Sequence, residues 1–460
     1  MQRFAQVLLA FAALATAILF SPGPAVEADP GNSITSPDTA DDAGLYTSLA
    51  LDGSGHPVIS YQAGGQYPAT SGLKVLHCDD PDCAGNESGN IRLVDTAWDS
   101  GMGWIVPGFY TSLVLNASGN PVVSYRRPNL GPYVGALKLL LCANANCTVY
   151  GITEPDPAAD GGVTSSLTLD GSGYPVVSHF DGDSNHLNLR LVHCNDPNCS
   201  GGDDSATAPD TAGAVGPHNS LALDASGNPV VSYAHEAGEL RLLHCDDPNC
   251  SGDESGNIEV PDASAYPFYT SLELDGSGNP VVSYRCNNDL KVLHCNDPNC
   301  DPTVNGPESV TSPDAVGDVG SYSSLELDAS GRPVISYYDA TNGNLKVMHC
   351  NDPNCDSTVN GPESIAAADS TDDNVGLWTS LALDAGGNPV VSYYDATNHD
   401  LKVLHCDSPA CGAPFPPAVG GVAELPSVPG PSAPNCVALA AAALTALTAG
   451  AWYARRRWAR

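Results

Sequence analysis

Cysteine is the residue type in this sequence whose spacing most directly suggests chemistry. Fourteen of the sixteen cysteines stand in seven pairs with the spacing C-x4-C, and the form "HCNDPNC" occurs three times. Paired thiols can bind a metal, carry out a redox reaction or form a disulfide. The seven pairs are Cys78 and Cys83, Cys142 and Cys147, Cys194 and Cys199, Cys245 and Cys250, Cys295 and Cys300, Cys350 and Cys355, and Cys406 and Cys411.

The spacing favours local disulfides. Structural zinc sites usually bring C-x2-C pairs together in fours, and here each pair belongs to a separate repeat. The redox spacing C-x-x-C is absent from the sequence, and the proline inside most of the loops favours a tight turn that brings the two thiols together. We therefore predict one disulfide per pair, with metal binding as the alternative. Cys286 and Cys436 are left over, and Cys286 is expected to stay outside the disulfides.

Other repeated polar residues are expected to be structural. A histidine precedes the first cysteine in six repeats and is expected to pack against a neighbouring repeat. Aspartates in the repeated turns are expected to hydrogen-bond their own backbone. Calcium at these turns is the functional alternative, although one carboxylate per turn falls short of the six oxygens that calcium needs; no other cofactor is predicted. The two sets are His77, His193, His244, His294, His349 and His405, and Asp52, Asp170, Asp224, Asp275, Asp328 and Asp384.

Repeated strands must position these residues. The dipeptide Ser-Leu recurs seven times, and the best-formed unit begins "YSSLELDASGRPVISYYDATNGNLKVMHC". Its apolar and polar residues alternate as in half-buried strands, and turn residues separate the strands. A weaker fourth strand follows each cysteine loop. Four strands in each of seven repeats of about 50 residues predict an all-β fold, a seven-bladed β-propeller.

The ends of the repeat array indicate how the ring closes. The last repeat lacks a fourth strand after Cys411, and residues 32–38, "NSITSPD", match "ESVTSPD" of a later repeat. We therefore expect the N-terminal segment to complete the seventh blade and to cover its open edge.

One hairpin carries a family resemblance. The segment "LDASGNPVVSY" from Leu223 to Tyr233 resembles the Asp-x-x-Gly-Asn turns of bacterial secreted propeller repeats and, more distantly, the Asp-box of sialidase-type propellers. It departs from the Asp-box because Pro and Val replace the aromatic residue after the turn. The resemblance spans about Asn32 to Cys411 and implies the architecture, but it says little about activity.

Composition and chain ends predict an extracellular protein. The 460 residues include 53 acidic and 17 basic side chains, a net charge of −36 that argues against nucleic acid as a partner. Residues 1–28 read as a signal peptide. Residues 436–454 read as a transmembrane or sorting segment, and this tail resembles bacterial cell-surface sorting signals. We expect a monomeric propeller over 29–411, a spacer over 412–435 and a basic cytoplasmic tail over 455–460, so that the propeller is anchored outside the cell.

Residues that break the repeat symmetry are the best candidates for a ligand site. The first strands open with aromatic residues in five repeats, and Thr164 and His218 fill the other two places. These aromatics either pack between blades or form a surface on which a sugar or peptide stacks. Loop tryptophans and loop arginines are further candidates, with local packing and ion pairs as the alternatives. The candidates are Tyr46, Tyr110, Tyr269, Tyr322 and Trp378, then Trp98 and Trp104, then Arg126, Arg127 and Arg285.

Three functional hypotheses follow from these observations. The first is a surface-anchored binding or adhesion propeller for an extracellular glycan or protein. The second is a glycan-active propeller enzyme, such as a sialidase-like hydrolase or a polysaccharide lyase, although the sequence contains no recognised catalytic motif. The third is a structural envelope protein. Acid, base and arginine side chains that converge at the channel would favour the enzyme, whereas aromatic residues without such a cluster would favour binding.

Overall fold

The computed structural model describes residues 31–412 except for 65–69, 101–103, 129–134, 160, 183–186, 201, 203, 264–265 and 371–373. Within this part of the chain no helix is long and apolar enough to cross a membrane. The predicted signal peptide, the apolar C-terminal segment, the basic tail, Cys436 and all but the first residue of the spacer lie outside the described residues.

The first half of the chain forms strand β1, three blades and a small hairpin. Each blade is a four-stranded antiparallel sheet with its strands in sequence order. Strand β1 is Ser33–Asp38, and the hairpin consists of β6 (Trp98–Asp99) and β7 (Trp104–Ile105). Blade 1 comprises β2 (Ala43–Leu51), β3 (Pro57–Ala63), β4 (Gly72–His77) and β5 (Ile91–Thr96); blade 2 comprises β8 (Phe109–Leu115), β9 (Pro121–Pro128), β10 (Gly135–Cys142) and β11 (Tyr150–Thr153); blade 3 comprises β12 (Val163–Leu169), β13 (Pro175–Phe180), β14 (Leu189–His193) and β15 (Ser205–Asp210).

The second half of the chain continues the same pattern. Two short 3-10 helices, Glu87–Gly89 and Glu254–Asn257, precede the fourth strands of blades 1 and 4. Blade 4 comprises β16 (Ser220–Leu223), β17 (Pro229–His235), β18 (Glu239–His244) and β19 (Ile258–Asp262); blade 5 comprises β20 (Phe268–Leu274), β21 (Pro280–Cys286), β22 (Asp289–His294) and β23 (Ser309–Asp314); blade 6 comprises β24 (Val319–Leu327), β25 (Pro333–Asp339), β26 (Asn344–His349) and β27 (Ser364–Asp369); blade 7 comprises β28 (Val375–Leu383), β29 (Pro389–Asp395) and β30 (Asp400–His405), completed by β1.

The seven blades form a closed ring, as predicted. The first strand of each blade contacts the first strand of the next, and β28 contacts β2. Strand β1 pairs antiparallel with β30, with Ser33 opposite His405 and Asp38 opposite Leu401. The N-terminal segment therefore supplies the fourth strand of the last blade, and the expected closure is confirmed.

The core consists of seven apolar layers, one between each pair of neighbouring blades. The layer between blades 7 and 1, for example, packs Val390 and Val403 against Ile59 and Leu76. The alternation of apolar residues in the sequence reflects these layers, since each sheet packs against a neighbour on either side.

The repeated Ser-Leu dipeptide links each blade to the next. The backbone N–H of Leu113 in blade 2 donates to the Oγ of Ser48 in blade 1 at 2.9 Å. The corresponding bond occurs at all seven blade junctions, and at the closing junction Leu49 donates to Ser380 at 2.9 Å. The serine recurs because its hydroxyl satisfies an N–H group that would otherwise be buried without a partner.

The seven C-x4-C pairs all form disulfides, one per blade, as predicted. Seven disulfides indicate that the protein folds in an oxidising, extracellular environment. Cys286 is buried in the layer between blades 4 and 5 and lies outside the seven disulfides.

The turn aspartates and the histidines before the cysteines form one contact. In blade 3, Asp170 accepts hydrogen bonds from the backbone of Ser172 and Tyr174, and its second oxygen lies 3.2 Å from Nε2 of His193. The Nδ1 atom of His193 lies 2.9 Å from the carbonyl oxygen of Pro248, in the cysteine loop of blade 4. Burial alone would raise the pKa of Asp170, but these hydrogen bonds lower it. Four of the six pairs tie a turn to the next blade in this way, through Nδ1 of His77, His193, His244 and His405.

Candidate functional site

A cavity lies at the centre of the ring, between the seven first strands. It has a volume of about 190 Å³ and is lined by two consecutive residues from each blade, which lie in the first strand or, in blade 4, directly before it. None of these fourteen lining residues carries a carboxylate, an ammonium or a guanidinium group. They are Tyr46, Thr47, Tyr110, Thr111, Thr164, Ser165, His218, Asn219, Tyr269, Thr270, Tyr322, Ser323, Trp378 and Thr379.

The first residue of each lining pair has a left-handed backbone. Its φ lies between 49° and 57° in all seven blades, as at Tyr46 (55°), Tyr322 (57°) and Trp378 (51°). In six blades the pairing register of the first two strands shifts at the same place, which marks a β-bulge. In blade 4 the paired part of the first strand begins only at Ser220, after the lining residues. Bulges re-aim side chains, and here the bulge turns the aromatic residue towards the cavity. The side chains concerned are half-buried.

The second residue of each lining pair fixes the first residue of the pair in the preceding blade. Thr47 donates to the carbonyl oxygen of Trp378 at 2.7 Å, and Thr111 donates to that of Tyr46 at 2.7 Å. The same bond joins every pair of neighbouring blades, with Ser165, Asn219, Thr270, Ser323 and Thr379 as the other donors. A closed belt of hydrogen bonds therefore holds all seven lining pairs in place.

The lining side chains form an arc of six rings, which we call the aromatic collar. Its members are His218, Tyr269, Tyr322, Trp378, Tyr46 and Tyr110, in order around the cavity, and Thr164 occupies the seventh place. Successive ring centroids are 4.4–5.3 Å apart, and successive ring planes are inclined at 44–66°. The collar therefore curves around the cavity and offers several rings to one bound group.

Electrostatics keep the collar uncharged near neutral pH. Burial lowers the pKa of His218 to about 4, so its imidazole is neutral. Burial also raises the pKa of Tyr46, Tyr110 and Tyr322, and the phenols stay protonated. Arg126 is 8% exposed and partly offsets this rise at Tyr46 and Tyr110, which places its positive charge on that side of the collar.

A second set of aromatics, which we call the outer tier, contacts the collar. Phe109 lies 5.2 Å from Tyr46, and Tyr394 lies 5.5 Å from Trp378, measured between ring centroids. The remaining members are Phe268, 5.2 Å from His218, and Tyr338, 6.4 Å from Tyr322. Sequence reasoning missed this tier because its residues occupy positions that are not aromatic in every repeat.

The structure brings together five of the ten predicted site residues, Tyr46, Tyr110, Tyr269, Tyr322 and Trp378, in the collar. Trp98 and Trp104 lie in the β6–β7 hairpin, and Trp104 is 43% exposed. The predicted arginines do not line the cavity. Arg127 lies over the Trp98 ring at 4.2 Å and 3.7 Å from Asp95, and Arg285 pairs with Asp318 at 2.8 Å.

Two carboxyls lie further along the first strands of blades 5 and 6. Glu273 follows Tyr269 by four residues, and Glu326 follows Tyr322 by four residues. Burial raises the pKa of Glu273 to about 7. Burial and the neighbouring Glu273 raise the pKa of Glu326 to about 8. The equivalent residues of the other blades are Ala50, Val114, Thr168, Ala222 and Ala382.

We expect the free energy of unfolding to fall as the pH rises from about 5 to about 8. The carboxyls of Glu273 and Glu326 ionise near a pH of about 4.3 in an unfolded chain. In this range the folded state therefore holds more protons than the unfolded state, and its stability decreases with pH. Chemical denaturation at several pH values measures the slope. The double variant Glu273→Gln/Glu326→Gln should flatten it, leaving the part due to Glu363, whose pKa is also raised to about 7, and an opposite part due to His218, whose lowered pKa makes stability rise with pH up to about 6.5. An unchanged slope would contradict the assignment.

Comparison with known proteins gives little beyond the architecture. No protein-family model matches this chain, and no curated protein matches its sequence. Among solved structures, an α-L-arabinanase from Penicillium chrysogenum complexed with arabinobiose is 12% identical, with a TM-score of 0.46 over 82% of this chain and 98% of that one. An α-L-arabinofuranosidase from Fusarium graminearum is 9% identical, with a TM-score of 0.46 over 82% and 96% of the two chains.

A protein of unknown function from Dyadobacter fermentans is 12% identical, with a TM-score of 0.44 over 83% of this chain and all of that one. Likenesses at this level bear on neither the substrate nor the activity of the present chain.

Proposed function

We propose that this chain is an extracellular binding propeller that recognises a glycan or protein ligand through the aromatic collar. The observation that carries the proposal is the set of six rings held around one central cavity. Aromatic rings supply large contact areas at a low cost in conformational entropy, and they are enriched in binding sites. A blade-packing role alone would not require a left-handed backbone at this position in all seven blades, which turns these side chains towards the cavity.

The lining residues favour binding over hydrolysis. A glycosidase of the usual type needs two carboxyl groups on either side of the scissile bond, and a sialidase-like site needs converging arginines. The fourteen residues that line the cavity supply neither, and the predicted arginines are engaged elsewhere or stand outside the lining. Attachment to the cell envelope through the C-terminal segment forms part of the proposal and rests on the sequence alone.

The proposal is tested by probing glycan and peptide arrays with the full chain and with collar variants. We expect Trp378→Ala to lower the affinity for the ligand about tenfold or more, because the variant loses both apolar contact area and ring stacking. Tyr266→Ala is the matched control, since Tyr266 is 58% exposed and stands outside the lining residues. Circular dichroism verifies that each variant is folded. Equal binding by the Trp378 variant and the unaltered chain, or binding to neither array, would contradict the proposal.

A further inference from the structure

The shape of the cavity limits what can enter it. At about 190 Å³ it is smaller than the roughly 300–1,000 Å³ of pockets that enclose drug-sized ligands. A sugar ring stacks best on one flat aromatic surface, whereas neighbouring collar rings are inclined at 44–66°. A compact, roughly spherical group can touch several of these rings at once.

The chemistry of the lining favours a positive charge on that group. The face of an aromatic ring is electron-rich and attracts cations, most strongly in Trp and Tyr. Five of the six collar rings are Tyr or Trp, and the sixth, His218, is neutral. A cation with no hydrogen-bond donors, such as a quaternary ammonium, loses the least hydration when it enters a cavity walled by rings.

The surrounding charges restrict the cation to one part of the collar. Arg126 repels it from the side of Tyr46 and Tyr110. On the opposite side, Tyr269 and Tyr322 lie on the strands that also carry Glu273 and Glu326. Four residues of a strand span about 13 Å, so these carboxyls act through their field rather than by contact, and they do so fully only above a pH of about 8, where both are ionised. The net charge of −36 attracts cations to the protein as a whole.

We infer that the cavity inside the aromatic collar binds a small quaternary ammonium group, held by Tyr269, Tyr322 and Trp378. The inference rests on the proposed function, since it identifies the part of the ligand that enters the same cavity. The rest of the ligand then lies over the outer tier.

Calorimetric titration of the full chain with choline tests the inference. The comparison ligand is the uncharged analogue of choline in which carbon replaces the ammonium nitrogen, so that shape and apolar area are matched. We expect choline to bind about 5- to 30-fold more tightly than this analogue, as cation–π attraction in a partly desolvated site predicts. Equal affinities, or no binding of choline at millimolar concentration, would overturn the inference.

Paired variants locate the site. Tyr322→Phe keeps a ring and should retain most of the choline affinity, whereas Tyr322→Leu should lose it. At a pH of about 9, where the Glu326 carboxyl is ionised, Glu326→Gln should weaken the binding of choline several-fold at low salt, and this effect should shrink as salt is added. Glu236→Gln removes one negative charge from an exposed position in the β17–β18 turn and serves as its control. A loss of the same size in both glutamine variants would show that choline responds only to net charge, and would overturn the site.

The array experiment separates this inference from the proposed function. If array ligands depend on Trp378 but choline does not bind, the collar is a binding site of different specificity and only the inference fails. If array binding does not depend on Trp378 and choline does not bind, both fail.

Discussion

Deletion of residues 31–38 should lower the free energy of unfolding by at least about 3–5 kcal/mol. The deleted segment contains β1, whose loss exposes the edge of β30. It also contains Asp38, which is 4% exposed, accepts a hydrogen bond from Tyr61 at 2.7 Å and pairs with Lys74 at 2.9 Å. Removing one partner of a buried ion pair costs about 3–5 kcal/mol, because the other charge is left without compensation.

Chemical denaturation of the deletion variant and the unaltered chain measures this difference. Asp38→Asn keeps the strand and should reproduce a large part of the loss. Ser36→Ala, at an exposed position of the same strand, should cost little. A deletion variant as stable as the unaltered chain would show that closure by β1 does not stabilise the ring.

Reduction of the seven disulfides should destabilise the folded chain by roughly 15 kcal/mol in total. A loop as short as C-x4-C contributes about 2 kcal/mol per disulfide in the chain-entropy model, and the seven contributions add if the bridges act independently. Each disulfide closes a loop within one blade, at a distance from the others, which makes independence a reasonable expectation. A loss of this size exceeds the stability of most domains, so the reduced chain should unfold without denaturant.

Denaturation with and without reductant, followed by circular dichroism, tests this expectation. The paired variant Cys350→Ser/Cys355→Ser removes one bridge and should cost about 2 kcal/mol. Cys286→Ser is a useful contrast, because it removes a buried thiol that belongs to no disulfide. A reduced chain that keeps its fold and its transition midpoint would contradict the stabilising role of the bridges.

The sequence predicted the architecture because every blade repeats the same pattern of strands, turns and buried residues. Alternating apolar residues reappear as the layers between blades, and the recurring Ser-Leu dipeptide reappears as the hydrogen bond between first strands. "NSITSPD" could be assigned to the last blade because its copy, "ESVTSPD", stands in a complete one. The disulfides followed from spacing and turn chemistry, which are both local properties.

The site was only partly predictable. Five collar residues recur at one position in the repeat and were found for that reason. His218 stands at the same position of its repeat, but it is not a tyrosine or tryptophan, and only the structure shows its ring in the collar. The outer tier, Phe109, Phe268, Tyr338 and Tyr394, does not recur in this way, and only the folded ring brings it beside the collar. The bulge that turns the collar residues inwards has no sequence signature, since Tyr, Trp, His and Thr all adopt it. The predicted arginines have partners that lie outside their own strands, such as Trp98 and Asp318.

The meeting of the two ends of the ring has a consequence for the order of biogenesis. The Asn32 side chain donates to the carbonyl oxygen of Cys411 at 3.3 Å, and β1 pairs only with β30. The first strand to be synthesised must therefore wait, unpaired, until the last blade has been made. Before that moment the chain is an open arc with an uncovered edge at its end and a cavity not yet enclosed. Closure is thus a late event, and a product truncated before β30 would leave β1 without its partner strand and the ring open.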